Sequence, residues 1–240
     1  GQFSKLAAFP ISYFALVLGL CGLTIATAKI ETLSGIASYI SSALFLVSLA
    51  AFSGISMTYL RKAWRHPASV RAEWNDPVRI SFFPTASISL ILLGSAGQSV
   101  SLGLSQFLWT LGTASHMLLT ISVMTMWIDR GKFAIDHATP AWFMPLVGNI
   151  LVPISGVHFA HIDLCWLYFS VGLFFWPILL NIILYRLIFH HPLPGQLIPT
   201  LFILLAPPSA AFIAWVSMTG TVDAFARILY YSAVFFSFLL

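Results

Sequence analysis

Charge is what this sequence has least of. Only 8% of its 240 residues are Asp, Glu, Lys or Arg, against about a quarter in an ordinary soluble domain. With 59% hydrophobic residues and a mean hydropathy of +0.94, the chain cannot present a water-facing surface on every side. It reads as an integral membrane protein. Acids are scarcer than bases, 7 against 11, and all of them fall in connections or at span ends. Buried carboxylates of the kind membrane enzymes use are therefore not in the pattern. Nor is there a phosphate-binding glycine loop, an HExxH, or a nucleophile elbow. The reading is not an enzyme, with no cofactor and no metal. The two cysteines, Cys21 and Cys165, sit in apolar runs and read as packing, not as a disulfide or a metal site. The net charge of +4 is concentrated in connections, so it marks topology and not nucleic-acid binding.

Apolar length is what the sequence has in abundance. A membrane helix needs about 20 apolar residues. Breaks at charges, prolines and Gly/Ser clusters give eight candidate spans, at roughly 9–28, 35–60, 78–97, 104–127, 141–158, 164–185, 197–218 and 224–240. The uncharged stretch from Ile80 to Ile128 is too long for one span, and "GSAGQSVSLG" (94–103) is its hairpin turn. Lys5, Arg61, Lys62, Arg65, Arg71, Arg79, Arg130, Lys132 and Arg186 fall on one side of this arrangement; Lys29 and Arg227 fall on the other. The N-terminus is thereby expected in the cytoplasm. The whole of 1–240 reads as a single transmembrane domain. Its eighth span ends in mid-run at "YYSAVFFSFLL", as expected of a shortened piece of a longer protein.

The odd-numbered spans open alike: "FPISYFALVLGL" (9–20), "DPVRISFFPTASISL" (76–90), "TPAWFMPLVGNILVP" (139–153) and "PGQLIPTLFILLAPP" (194–208). Each begins at or near proline and carries an aromatic a few residues in. Three hold further prolines: Pro84, then Pro145 and Pro153, then Pro207 and Pro208. Proline in the first turn is tolerated because its missing N–H has no partner there. An interior proline frees a carbonyl and kinks the helix. In a bilayer such freed groups survive only against protein or water. The kinked odd spans are therefore expected to form an inner ring around a central path. The plainer even spans are expected to form an outer ring facing lipid.

These segments, with "FPISYF", "TPAWFMPLVGN", "LLAPPSAAF", "VDAFARIL" and above all Arg71 to Pro84, resemble the tellurite-resistance/dicarboxylate transporter family. That family takes in bacterial TehA, the yeast malate permease and the plant slow anion channels. The resemblance runs along essentially the whole chain in the same order. It implies ten helices in five hairpins, one pore per subunit lined by the odd helices, and a homotrimer in the bacterial inner membrane. It also implies passage of small anions, with a phenylalanine of the ninth helix plugging the pore. This chain stops near the eighth helix, so the last hairpin is expected to be missing.

An anion path needs partial positive charge without tight binding. No Lys or Arg falls in the middle of a span. The candidate pore-lining residues are therefore Ser12, Thr85, Ser87, Asn149 and Ser209, with Phe14, Phe83, Phe143 and Phe202 as an apolar constriction. Phe14 matches a pore-side phenylalanine of the family's first helix. Pro84, Pro145, Pro153 and Pro207 are the expected kinks. Arg71 and Arg79 are expected to raise anion concentration at the inner mouth, or else Arg79 pairs locally with Asp76 and Glu73. His116 reads as a neutral interhelical hydrogen-bonder, and His158, His161 and Asp163 as a cluster at the outer mouth. The expected function is passive passage of chloride- or nitrate-like anions. The alternatives are proton-coupled transport of C4-dicarboxylates such as malate, and tellurite resistance.

Overall fold

The structure, a computed structural model, describes residues 5–129, 131 and 133–240. The topology markers Arg130 and Lys132 lie outside the described residues. Among those described, all regular structure is helical. The helices are α1 (Phe14–Ser34), α2 (Tyr39–Arg65), α3 (Pro67–Asn75), α4 (Pro84–Ala96), α5 (Leu102–Asp129), α6 (Phe143–Val147), α7 (Pro153–Gly156), α8 (Ile162–Phe189), α9 (Ala206–Thr219) and α10 (Ala224–Leu239). Tighter 3₁₀ segments at Ile11–Tyr13, Arg79–Phe82, Pro140–Trp142, Gly148–Leu151 and Gly195–Leu205 precede or interrupt the odd-numbered spans.

Six continuous helical stretches are long and apolar enough to cross a membrane: Ile11–Ser34, Tyr39–Arg65, Arg79–Ala96, Leu102–Ile128, Ile162–Phe189 and Gly195–Thr219. The fifth and eighth apolar segments are shorter helices, Pro140–Gly156 and Ala224–Leu239. The fifth is where the sequence expectation needs most revision. Prolines at 140, 145 and 153 divide it into two short α-turns joined by 3₁₀ helix, because each proline removes a donor and clashes with the preceding turn. The seventh span pairs an 11-residue 3₁₀ stretch with α9, which opens on Pro207 and Pro208. So long a 3₁₀ run is uncommon.

The chain divides into two compact units, Gly1–Ser115 and His116–Leu240, with the boundary inside α5. In the first unit α1 packs on both α2 and α4. The α1–α2 hairpin is specified locally. Gly35 ends α1 in the left-handed conformation at φ 65°, and the Ile36 N–H returns to the Glu31 carbonyl at 3.0 Å, a Schellman-type stop. The Glu31 carboxylate then accepts the backbone N–H groups of Ile40 and Ser41 at 2.9 and 3.3 Å. Those are orphan donors of the first turn of α2. The inward face of α2 is the stripe Ser41, Phe45, Ser48, Phe52, Ile55, Tyr59 and Lys62, spaced by three and four residues. Between α4 and α5 the backbones come close. A Cβ at Gly112 would lie 2.7 Å from the Ile91 nitrogen, and one at Gly94 would lie 2.7 Å from the Ser105 carbonyl.

In the second unit α6 and the 3₁₀ segment Gly148–Leu151 pack on α8, α7 packs on α9, and α9 packs on α10. A Cβ at Gly172 would meet Ile150 Cγ1 at 2.5 Å, so α8 lies directly on the broken span. The α9–α10 hairpin repeats the device of the first. Gly220 ends α9 at φ 71°. Asp223 caps α10 by accepting the Ala226 N–H at 2.9 Å, and it also accepts the Trp215 indole N–H at 3.0 Å.

The expected contrast between odd and even spans holds in the middle of the chain and not at its ends. Arg79–Ala96 is 72% buried while α2 is 17% buried, and nearly every residue of Pro140–Gly156 is buried. The first span, at 28%, is covered no more than α8, and the seventh, at 33%, only slightly more.

Candidate functional site

Residues 71 to 84 show how local chemistry places side chains. The Asp76 carboxylate accepts the N–H groups of Val78 and Arg79 at 2.9 and 2.8 Å. This turns the chain into the 3₁₀ segment Arg79–Phe82, after which Pro84 opens α4 at its first position. Phe83 is thereby held at the helix entrance, its ring edge-on to Trp74 at 4.8 Å and to Tyr59 at 6.4 Å. Tyr59 in turn meets Phe14, which also contacts Phe52 at 5.7 Å. Phe14 and Phe83 are therefore joined through a tyrosine of α2. Four aromatic contacts run Phe52–Phe14–Tyr59–Phe83–Trp74.

Beneath this chain lies a buried ion pair. Lys62 Nζ is 2.8 Å from Glu73 Oε2, and the two side chains are 1% and 4% exposed. Lys62 also donates to the Phe9 carbonyl at 2.8 Å, and the Tyr59 hydroxyl donates to Glu73 Oε2 at 2.9 Å. The ammonium sits 5.2 Å from the centre of the Tyr59 ring. Sequence proximity suggested that Glu73 would serve Arg79; the structure gives it to Lys62. Arg71 and Arg79 are exposed, and Arg79 meets Asp76 through its backbone only. Sequence reasoning took Lys62 as a topology marker. The signal it missed is that Lys62 ends the stripe that begins at Ser41.

The hydroxyls of α4 turn back on their own helix. Ser87 donates to the Pro84 carbonyl at 2.9 Å and Ser89 to that of Thr85 at 2.7 Å. Thr85 donates to the Phe82 carbonyl. Ser89 additionally reaches the Phe14 carbonyl of α1 at 3.3 Å. Pro84, Thr85 and Ser87 are buried, and Ser12 is half-buried in the turn Ile11–Tyr13.

In the second unit Asn149 is fully buried on the 3₁₀ break. Its amide N–H groups donate to the Leu146 carbonyl at 2.8 Å, the Pro145 carbonyl at 3.3 Å and Thr120 Oγ1 at 3.1 Å. Thr120 in turn donates to the Pro145 carbonyl at 2.6 Å. The carbonyl left over at the break is thus satisfied by two side chains, which is the condition for broken backbone inside a membrane. Asn149 Oδ1 is buried with no partner. Phe143 belongs to the apolar core. Pro145, Pro153 and Pro207 are buried, Ser209 is half-buried and donates to the Leu205 carbonyl at 2.9 Å, and Phe202 is 63% exposed.

His116 is fully buried in α5. His161 and Asp163 meet at 3.2 Å, both largely exposed. Cys21 and Cys165 are buried free thiols. Among the described residues no group of three metal-ligating side chains comes together.

Each unit thus carries backbone breaks on its odd-numbered spans, with hydroxyls and aromatics near them and, in the second unit, one buried amide. That defines an integral membrane protein of helical hairpins. The chain belongs to the SLAC1 family, described as voltage-dependent anion channels, whose profile matches residues 8–240. It is 29% identical over 237 residues to the S-type anion channel SLAH3 of Arabidopsis thaliana, covering 96% of this chain and 37% of that protein. It is 30% identical over 224 residues to the tellurite resistance protein TehA homolog of Haemophilus influenzae, covering 92% of this chain and 68% of the relative. An uncharacterized transporter of Methanocaldococcus jannaschii is 29% identical, with 66% of its length covered. The chain therefore spans between about a third and two thirds of the length of these relatives. The family is one of channels and transporters, not of enzymes.

Proposed function

We propose that this chain forms four of the five hairpins of a pore for small monovalent anions such as chloride and nitrate, passed down their electrochemical gradient. The observation that carries this reading is the placement of charge. The odd-numbered spans bury hydroxyls and an amide at their breaks, yet hold no acid, histidine, lysine or arginine in their middle; Lys29 and Glu31 fall in the last two turns of α1 and Arg79 at the start of the third span. Weak contacts of that kind let an anion enter and leave. The pore-lining set is Ser12, Phe14, Phe83, Thr85, Ser87, Phe143, Asn149, Phe202 and Ser209, with Pro84, Pro145, Pro153 and Pro207 making the kinks. Arg71 and Arg79, both exposed, draw anions to the inner mouth. The relatives' greater length and the open faces of the first and seventh spans support a fifth hairpin closing the ring. The parent protein is a homotrimer in the bacterial inner membrane with a cytoplasmic N-terminus.

One observation favours a second reading, proton-coupled carriage of C4-dicarboxylates: His116 is an ionisable group buried within a span, as coupled carriers require. The deciding measurement is flux in liposomes holding the complete parent protein, under an imposed voltage without a pH gradient. Chloride or nitrate flux that scales with voltage is the expected result. Malate uptake that needs a proton gradient, with no voltage-driven inorganic flux, overturns the channel reading.

A further inference from the structure

Arg186 stands in the last turn of α8, 3% exposed. Its Nε and Nη1 are buried and have no hydrogen-bond partner. A guanidinium does not shed its proton in a protein, so it is a buried charge, and such charges are ordinarily paired. Among the described residues no carboxylate pairs with it.

Its surroundings follow from helix geometry. Ile183, Arg186, Leu187 and His190 are spaced by three, four and seven residues and share one face. Ile183 and Leu187 pack in the apolar cluster that holds Phe133, Ile135, Ala138, Trp142 and Trp127. His190 Nδ1 lies 3.6 Å from Asp136 Oδ1. The end of α8 that carries Arg186 therefore packs on Ile135–His137, which leads in the chain to Thr139 and Trp142. Three other polar groups of this region are also buried without partners: Trp142 Nε1, Thr139 Oγ1 and Trp127 Nε1. The Trp127 and Trp142 rings stack at 4.7 Å. Guanidinium and indole N–H groups only donate, and a threonine hydroxyl can donate. The acid on this face, Asp136, is taken by His190 and its side chain is 56% exposed.

We propose that Arg186, with Trp127, Thr139 and Trp142, holds one small monovalent anion at this end of α8. A single fixed positive charge matches a single negative one. The C-terminal end of a helix carries partial negative charge, which keeps the anion exchangeable. A planar oxyanion such as nitrate fits the guanidinium fork with two parallel hydrogen bonds. The arginine itself is on an even-numbered span, and the binding readout at its guanidinium does not depend on whether the path lined by the odd ones conducts.

The test uses the full chain in a neutral detergent, with nitrate replacing gluconate at constant ionic strength. Between about 1 and about 100 mM nitrate, the melting temperature of the wild type rises by about 2 °C or more. Arg186→Met abolishes the rise while melting no lower than wild type in gluconate. Trp142→Phe, which keeps the ring and removes one donor, weakens the nitrate midpoint about five-fold and serves if the arginine variant does not fold. Bromide-soaked crystals of the wild type show an anomalous peak beside the guanidinium. A melting temperature indifferent to nitrate, an equal rise in Arg186→Met, or bromide peaks elsewhere but none at Arg186 overturns the proposal. So does a rise with phosphatidylglycerol and none with nitrate, which assigns the arginine to a lipid headgroup.

Discussion

Lys62 and Arg186 make an instructive pair. Each is a cation in the last turn of an even-numbered span, and each is almost wholly buried. Lys62 has a carboxylate, a carbonyl and an aromatic face around it. Arg186 has two N–H-bearing nitrogens with no partner. The cost of taking a charge out of water is met inside the fold in the first case. In the second the fold leaves a place for something from outside. Burial alone therefore says little about a charged side chain; what decides its role is whether its partner comes with the chain.

The largest effect is expected where the partnership is complete. Glu73→Gln leaves the Lys62 ammonium buried against a neutral amide, and should lower unfolding stability by about 3–5 kcal/mol. The double change Lys62→Met, Glu73→Leu removes both charges and should recover most of that loss. Thermal and denaturant unfolding in detergent read both. If Glu73→Gln is tolerated as well as the double change, the buried ion pair is not a clasp that holds α3 to α2.

The opposite sign is expected at Arg186. With gluconate as the only anion, Arg186→Met replaces an unmatched charge by a side chain of similar length, which should be neutral or stabilising by about 1–4 kcal/mol. A loss like that of Glu73→Gln would mean that Arg186 is held by the chain itself, and the comparison would collapse.

A finer probe of the clasp is Tyr59→Phe. It keeps the ring that touches Phe14, Phe83 and Lys62 and removes only the hydroxyl bonded to Glu73. The expected loss is about 1.5 kcal/mol, the range for a hydrogen bond to a charged group. A loss comparable to Glu73→Gln would place the clasp in the hydroxyl and not in the ion pair.

Which of these features the sequence announces depends on how far apart the partners are. Spans are local properties of apolar length, and the eight expected stretches correspond, among the described residues, to six helices long enough to cross a membrane and two shorter apolar ones, with ends shifted by a few residues. Pro84, Pro153 and Pro207 stand in the first turn of α4, α7 and α9, a placement that a linear pattern can announce because proline acts on its own turn. What the sequence does not announce is a pairing across the fold. Glu73 is three residues from Asp76 and six from Arg79, yet it bonds Lys62 across the turn at His66–Pro67. Asn149 was legible as a costly amide in an apolar run. Its partner Thr120, 29 residues away, was not. Arg186 was read only as a topology marker, because nothing in a linear pattern tells an arginine at the membrane surface from one folded back into the core.

The smallest effect tests whether the same rule governs neutral groups. The Pro145 carbonyl has two side-chain donors, the hydroxyl of Thr120 and the amide of Asn149. Thr120→Val removes one and leaves the shape unchanged, so the carbonyl keeps the other. A carbonyl that is still bonded escapes the full cost of desolvation, and the loss should be about 1 kcal/mol. Asn149→Leu withdraws the amide from Thr120, Pro145 and Leu146 at once and should cost more. If Thr120→Val alone proves as damaging as Asn149→Leu, the threonine is the main support of the break. The amide, with Oδ1 unpartnered in the core, would then be free to turn toward an anion, and Asn149 would move from the scaffold of the fifth span to the lining of its path.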